Sequence, residues 1–294
     1  MQFFKYQGIG NDFILVEAEA ARQRGLDGPM AEQLCDRRYG IGADGVLIVS
    51  ARDGAGQMRV YNADGSVPEM CGNGLRCAAL HFFRTGQTAS EFDCETGAGV
   101  HRCLVSTGKP SSIDTRRAEV TVTMRVPSLL PADIPMISEQ PLIDAALRFD
   151  SNSSTQGERD ATEMRWTLVS MGNPHAVTFD PVDEALRAEL GARIERDDRF
   201  PEGVNVGFAS LEQGEIGLAV WERGVGLTQA CGTGACAAAV AAAVTGRCSS
   251  ERPIPVRLPG GTLKIQVGAQ TQGDTRSDPV RMTGPAQWVF EGNI

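Results

Sequence analysis

MCGNGLRCAA, from Met70 to Ala79, and ACGTGACAAA, from Ala230 to Ala239, are two copies of one pattern. Each reads Cys-Gly-x-Gly and then runs into small residues rich in alanine. The copies lie about half a chain length apart, which indicates one duplication and not a solenoid of short repeats. Two structurally similar halves follow, each contributing one equivalent cysteine, Cys71 and Cys231.

The flanks of both copies read as strand, glycine-rich turn, then helix. Met58 to Asn62 alternates like a half-buried strand and is followed by turn residues from Ala63 to Ser66. Leu218 to Arg223 is again strand-like, and Gly224 and Gly226 come after it. Beyond each Cys-Gly-x-Gly, the alanine, leucine and cysteine content favours a closely packed helix, so both cysteines fall at helix N-termini. Strands predominate elsewhere: Val46 to Ser50, Val120 to Val126, Trp166 to Ser170, and a Val256 to Val267 hairpin turning at Pro259 to Gly261. A further helix is expected from Pro29 to Arg38, stopped by Gly40. Pro127 to Pro135 carries three prolines and reads as an inter-domain connection, and the polar stretch from Asp150 to Glu163 as a surface loop.

The chain has 294 residues, more than one domain of about 100 to 200 residues needs, so two domains are the natural division. Hydrophobic residues at 41% and charged residues at 22% fit a compact globular protein. A net charge of -9 without a basic stripe repels phosphate backbones and anionic lipid, which argues against nucleic-acid and membrane partners. The start, MQFFKYQGIGNDF, lacks the unbroken apolar stretch of a signal peptide, and Ala230 to Val244 is too short to span a membrane. A cytoplasmic location is the expectation. Eight cysteines in such a chain are either small core residues or thiols used in chemistry.

At the first turn of a helix, free backbone N–H groups and the positive end of the macrodipole favour a thiolate. A partly buried helix end supplies about 1 to 2 kcal/mol, which would draw a thiol from about 8.5 toward neutrality. Two such thiols facing one ligand would stay singly ionised through mutual repulsion, leaving one base and one acid. Inversion of a carbon centre needs that pair. The first-turn N–H groups at Gly72 and Asn73, and at Gly232 and Thr233, suit a carboxylate, onto which charge moves when an amino acid loses its α-proton. This provides for α-proton transfer without a cofactor. The lysines Lys5, Lys109 and Lys264 sit in no phosphate-cradling context, which disfavours a pyridoxal phosphate enzyme.

Other readings compete. Isolated cysteines are usually core residues, and Cys35, Cys77, Cys94, Cys103, Cys236 and Cys248 are assigned that role. A metal site from Cys71, Cys77, Cys231 and Cys236 would lack the short spacing of common zinc knuckles. Neither glycine pattern ends in Gly-Lys-Ser/Thr or matches Gly-x-Gly-x-x-Gly, so a phosphate loop is not indicated.

A series of motifs carries a resemblance to a known family: GIGNDF from Gly8, NADG from Asn62, CGNG from Cys71, MGNPH from Met171, NVG from Asn205, ERG from Glu222, ACGTG from Ala230 and MTGPA from Met282. Their order across nearly the whole chain resembles diaminopimelate epimerase. The resemblance implies a mixed α/β (α+β) fold of two similar domains, each a sheet wrapped around a central helix, with the active site in the cleft between them. The domains would be 1–120 plus 284–294, carrying Cys71, and 121–283, carrying Cys231. It also implies that Cys71 and Cys231 are the two acid/base thiols and that Gly72, Asn73, Gly232 and Thr233 hold the reacting carboxylate. Asn11, Asn62, Asn173, Asn205 and Arg223 would fix the remote end of the substrate, where arginine suits a carboxylate through its bidentate fork. Glu222 and, as an auxiliary, His175 would lie near the reacting amino group. For each asparagine alone, a turn role is the default, and for His175 a structural hydrogen bond competes evenly.

Two positions depart from the family pattern. Many members carry Gln after Phe-Asp where this chain reads Ala43-Asp44-Gly45, and Thr233 stands where serine is common. The implied activity is interconversion of LL- and meso-2,6-diaminopimelate, in lysine and peptidoglycan precursor biosynthesis, with no cofactor, no metal, a small amino acid as partner and a homodimer as a family-level expectation. Rival readings are another two-cysteine racemase acting on proline, hydroxyproline or histidine, a thiol hydrolase or acyltransferase using Cys231 with His175, and a metal-binding module.

Overall fold

The computed structural model describes residues 1–68, 70–107, 116–149, 163–268 and 278–294. Lys109 and the polar stretch from Asp150 lie outside these residues, except that Glu163 opens a strand. The chain divides into two compact units, Met1–Met124 with Arg281–Ile294, and Arg125–Val280.

The first unit holds β1 (Gln2–Gly8), β2 (Asn11–Glu17), β3 (Gly45–Arg52), β4 (Ala55–Asn62), β5 (Glu91–Thr96), β6 (Gly99–Ser106), β7 (Arg117–Thr123) and, from the end of the chain, β16 (Arg281–Asn293). Each strand pairs with the next along this series, β7 pairs with β16, and β16 pairs back onto β1. The eight strands therefore close into a ring with no free edge. Two of its pairings are parallel, β2 with β3 and β4 with β5, and parallel neighbours need a crossover. Helices α1 (Ala18–Arg24) and α2 (Gly28–Cys35) form the first crossover, and α3 (Gly72–Arg84) forms the second. Leu75, Cys77, Ala78, Ala79, Leu80 and Phe82 of α3 are all buried as it packs against the surrounding strands.

The second unit repeats this plan. Its strands are β8 (Ala145–Arg148), β9 (Glu163–Ser170), β10 (Pro174–Thr178), β11 (Asn205–Glu212), β12 (Glu215–Glu222), β13 (Gly226–Thr228), β14 (Ile254–Leu258) and β15 (Gly261–Gln266). They order as β8-β9-β10-β11-β12-β14-β15, with β13 also on β12. The parallel pairs are β10 with β11, crossed by α4 (Arg187–Glu195), and β12 with β14, crossed by α5 (Gly232–Val244). The progression hairpin, helix, hairpin, helix, hairpin thus runs through β1 to β6 and again through β9 to β15. Helix α5 is alanine-rich and apolar on every side, the composition of a helix enclosed by its sheet, and Ala235 to Ala242 are all buried. Among the described residues no helix is long and apolar enough to cross a membrane.

Several boundaries differ from the sequence expectation for physical reasons. Divisions set at 120/121 and 283/284 lie at Met124/Arg125 and Val280/Arg281, because β7 and β16 pair out to Thr123 and Arg281. Pro127 to Pro135, read as a connection, belongs to the second unit. Its Ile134 is buried in the core with Phe149, Trp166, Ile194 and Phe208. The helix expected to reach Arg38 ends at Cys35, where the Asp36 carboxylate accepts from the N–H groups of Arg38 and Tyr39 at 2.7 Å each and turns the chain. Cys248, assigned to the core, is only half-buried.

Candidate active site

Both cysteines cap helices in the same way. Cys71 precedes α3 with φ -130° and ψ 111°, and Cys231 precedes α5 with φ -120° and ψ 106°. Each sulfur accepts from the N–H of the glycine three residues on, Gly74 or Gly234, at 3.4 Å. That closeness explains the second glycine of the motif. A Cβ on Gly234 would stand 3.2 Å from the Cys231 sulfur and 3.0 Å from Val220, and one on Gly74 would stand 2.9 Å from Leu47.

Strand register gathers the other expected residues at the same end of each unit. In the first unit Gly45 of β3 lies beside Phe13 of β2 and directly opposite Asn62 of β4, so Asn11, Asp44 and Asn62 come together. Asn11 donates its amide N–H to Asp44 at 2.7 Å and accepts from the Asn73 side chain at 3.1 Å. Asn62 donates to Ser66 at 2.9 Å, a turn bond. The missing family glutamine also has a steric reason: a Cβ at Gly45 would meet the Tyr61 carbonyl at 2.6 Å.

In the second unit His175 of β10 lies opposite Asn205 of β11, and Asn205 is one step past the pair of Val206 with Trp221, beside Glu222. The Asn205 amide donates to the Pro174 carbonyl at 2.8 Å and accepts from the Arg223 N–H at 3.0 Å. A chain of contacts runs from His175 through Asn173 (3.1 Å) to Thr233 (3.4 Å) and on to the Cys231 sulfur (3.6 Å). The Arg223 guanidinium donates to the Glu202 carbonyl at 2.6 Å. Glu222 accepts from Thr228 at 2.5 Å and hydrogen-bonds Cys231.

Electrostatics revises one expectation. A helix N-terminus alone was to lower the Cys231 thiol toward neutrality. Instead, burial pushes it well above its ordinary value, the Glu222 carboxylate adds to the push, and the bonds from Thr233 and Gly234 pull only partly back. Cys231 is 4% exposed, and desolvation outweighs the helix end. Burial and Glu222 together favour the thiol form, hydrogen-bonded to that carboxylate.

His175 is buried, and that burial, aided by the positive charge of Arg223, lowers it from 6.5 to about 3. It is neutral at physiological pH and bonds Asn173, so it does not pair with Cys231 as a hydrolase triad requires. Linkage follows directly. Between pH 6.5 and about 3 the unfolded chain binds a proton that the folded chain refuses, so the stability held above pH 6.5 is lost as pH falls through that window. The slope reaches about 1.4 kcal/mol per pH unit. Thermal midpoints from about pH 7 to pH 5 should therefore fall more steeply in the unaltered protein than in His175→Asn, and equal slopes would show that His175 protonates without unfolding.

Sequence reasoning missed Thr228, Asp44, and the charges Lys5, Asp12 and Arg37. Thr228 reaches Glu222 only because β13 folds back on β12, pairing Glu222 with Gly226. Buried Lys5 bonds Asp12 at 2.6 Å and the Gly42 carbonyl, and Arg37 bridges Asp12 at 2.6 Å and Asp44 at 2.7 Å. Three of the remaining thiols behave as core groups: burial raises Cys35 to about 11 and Cys77 and Cys94 to about 12. Among the described residues no three His, Cys, Asp or Glu side chains converge as a metal would require. A surface cavity of about 480 Å³ in the second unit includes Arg223 and Glu202 in its lining but not Cys231.

The family model for diaminopimelate epimerase matches this chain over residues 3–120 and 167–289. A diaminopimelate epimerase of Desulforudis audaxviator is 42% identical over 99% of this chain and 98% of its own length. That of Moorella thermoacetica is 41% identical over 100% and 99%. Among solved structures, a probable proline racemase from Agrobacterium radiobacter K84 shares the fold with TM-score 0.67 at 16% identity, over 100% of this chain and 92% of that one. A phenazine biosynthesis protein from Bacillus anthracis does so with TM-score 0.67 at 15% identity, over 100% and 98%. With both halves matched by the family model and full-length relatives at 41 and 42% identity, the chain belongs to the diaminopimelate epimerase family.

Proposed function

We propose that this protein interconverts LL- and meso-2,6-diaminopimelate by passing the α-proton between Cys71 and Cys231, with no metal or organic cofactor. The observation that carries this reading is the repetition of one cysteine-capped, glycine-rich helix start in both units, with a carboxylate bonded to one of the two thiols. Cys231, held as a thiol by burial and Glu222, is the resting acid. Cys71 is then the resting base, and the roles exchange in the reverse direction. First-turn N–H groups of Gly72, Asn73, Gly232 and Thr233 receive the charge that builds on the substrate carboxylate as the proton leaves. Glu222 orients the α-ammonium, Asn173 with His175 sets Thr233, and Asn11, Asn62, Asn205 and Arg223 serve the remote end.

Of the two described lysines, Lys5 is engaged by Asp12 inside the first unit and Lys264 stands on β15, which favours a route without a Schiff-base cofactor. That substrate class supports a role in lysine and peptidoglycan precursor biosynthesis and a cytoplasmic location, with a small amino acid and no nucleic acid or membrane as partner; a homodimer is the family-level expectation.

The test is turnover of diaminopimelate in deuterated water followed by proton NMR. Deuterium should enter the α-position in step with epimerisation, because a thiol exchanges its proton with solvent. Inversion without deuterium uptake would overturn thiol-mediated transfer, and turnover of proline in place of diaminopimelate would overturn the substrate.

A further inference from the structure

We propose that Asp44 is a positioning residue that holds the Asn11 amide as a hydrogen-bond donor toward the substrate. The inference rests on the reading above, in which Asn11 touches the remote end of diaminopimelate. An amide can present either its oxygen or its nitrogen to a ligand, and crystallographic or sterically similar placement does not decide which. Here the partner decides. One Asp44 carboxylate oxygen accepts both from the Asn11 side chain, at 2.7 Å, and from the Asp12 N–H, at 3.1 Å. A carboxylate only accepts, so the Asn11 nitrogen must face it, and the Asn11 oxygen turns to the Asn73 amide at 3.1 Å. Asn73 stands two residues from Cys71 in the first turn of α3, so the orientation of Asn11 is tied to the helix end that carries the thiol. What Asn11 has left to offer is its second amide hydrogen, which suits a substrate carboxylate.

Asp44 is itself oriented. Its other oxygen accepts from Arg37 at 2.7 Å, and the same guanidinium reaches Asp12, which also bonds buried Lys5. The Arg37 and Asp44 side chains are 58% and 40% exposed, so their ion pair adds little stability. Its consequence is geometric: it fixes which carboxylate oxygen faces Asn11. Since a side chain at position 45 is barred by the Tyr61 carbonyl, Asp44 acts through Asn11 at the place where many relatives present a glutamine.

The experiment is a double-mutant cycle on the full chain with Asn11→Ala, Asp44→Ala and the pair, reading KM and kcat for diaminopimelate together with the thermal midpoint. Losing one correctly aimed hydrogen bond to a charged substrate should raise KM about tenfold in Asp44→Ala, with a smaller change in kcat. In the Asn11→Ala background the same change should add nothing. Asp44→Asn, which can keep an oxygen facing Asn11, should retain most of the activity, a rescue that a loop-stabilising charge would not show. Additive losses, an Asp44→Asn variant as damaged as Asp44→Ala, or an unchanged KM in Asn11→Ala would each overturn the proposal. Diaminopimelate turnover by the unaltered protein tests the underlying function separately.

Discussion

Cys71→Ala and Cys231→Ala should each lower epimerisation by at least about a thousandfold, within the range that one positioned acid or base contributes. Inversion needs a proton removed from one face and another delivered to the opposite face. A single thiol can serve one face only, so neither half of the duplicated motif substitutes for the other. The two variants should also fold. Each removes a sulfur that the Gly74 or Gly234 N–H reaches only by a long 3.4 Å contact, while the cap carbonyl keeps its helix bond from Leu75 or Ala235. The measurement is kcat for both epimers, with circular dichroism to check the fold. Near-native epimerisation by either variant would show that the mechanism is not a two-thiol one.

The variants should differ in one respect that the structure makes specific. Removing Cys231 leaves the Glu222 carboxylate without its thiol partner while Thr228 still bonds it. The half-buried Glu222 carboxylate, having lost a donor, is destabilised by about 1 kcal/mol, so Cys231→Ala should lose more thermal stability than Cys71→Ala.

The helix starts at Cys71 and Cys231 were legible from sequence because capping is local: a residue in extended backbone, small residues after it and an alanine-rich run suffice. The alternating strands were legible for the same reason. The return of the chain's end to the first unit was legible only through the family resemblance, since β1 and β16 come from opposite ends of the chain and nothing in either strand names its partner. Helices α1 and α4 escaped because they are short and polar, burying only Ala21 in the one and Gly191 and Ile194 in the other. The Asp44 contact with Asn11 depends on β2 lying parallel to β3 after a two-helix crossover, and the Thr228 contact on the β13 fold-back. The direction of the Cys231 shift escaped for a related reason. The helix end that favours a thiolate is visible in the motif, whereas the burial and carboxylate that oppose it are tertiary facts.

The other large effect concerns specificity, and here the structure narrows the expectation. Four asparagines and Arg223 were assigned to the remote end of the substrate, and of these the Asn205 amide bonds Pro174 and Arg223 while Asn62 bonds Ser66. On the proposed reading Asn205 holds the backbone of Arg223, and the guanidinium carries the charge recognition. It rests on the Glu202 carbonyl, an exchangeable partner that a carboxylate outcompetes through a bidentate, charge-assisted pair. Lysine differs from diaminopimelate by that one carboxylate. A missing charge-assisted hydrogen bond costs about 1.5 to 3 kcal/mol, and leaving polar partners unmatched adds to it. Lysine should thus be processed at least about 100-fold less efficiently than diaminopimelate. Binding at the remote end also aligns the reacting carbon, so the deficit should appear in kcat as well as KM. Arg223→Lys keeps the charge but surrenders the fork, and should impair diaminopimelate turnover while leaving the poor rate with lysine nearly unchanged. The decisive measurement is kcat/KM for diaminopimelate, lysine, proline and histidine on one preparation of the unaltered protein and of Arg223→Lys. Comparable values for lysine, or a preference for proline or histidine, would leave the two-thiol chemistry standing and remove Arg223 as the reader of a second carboxylate.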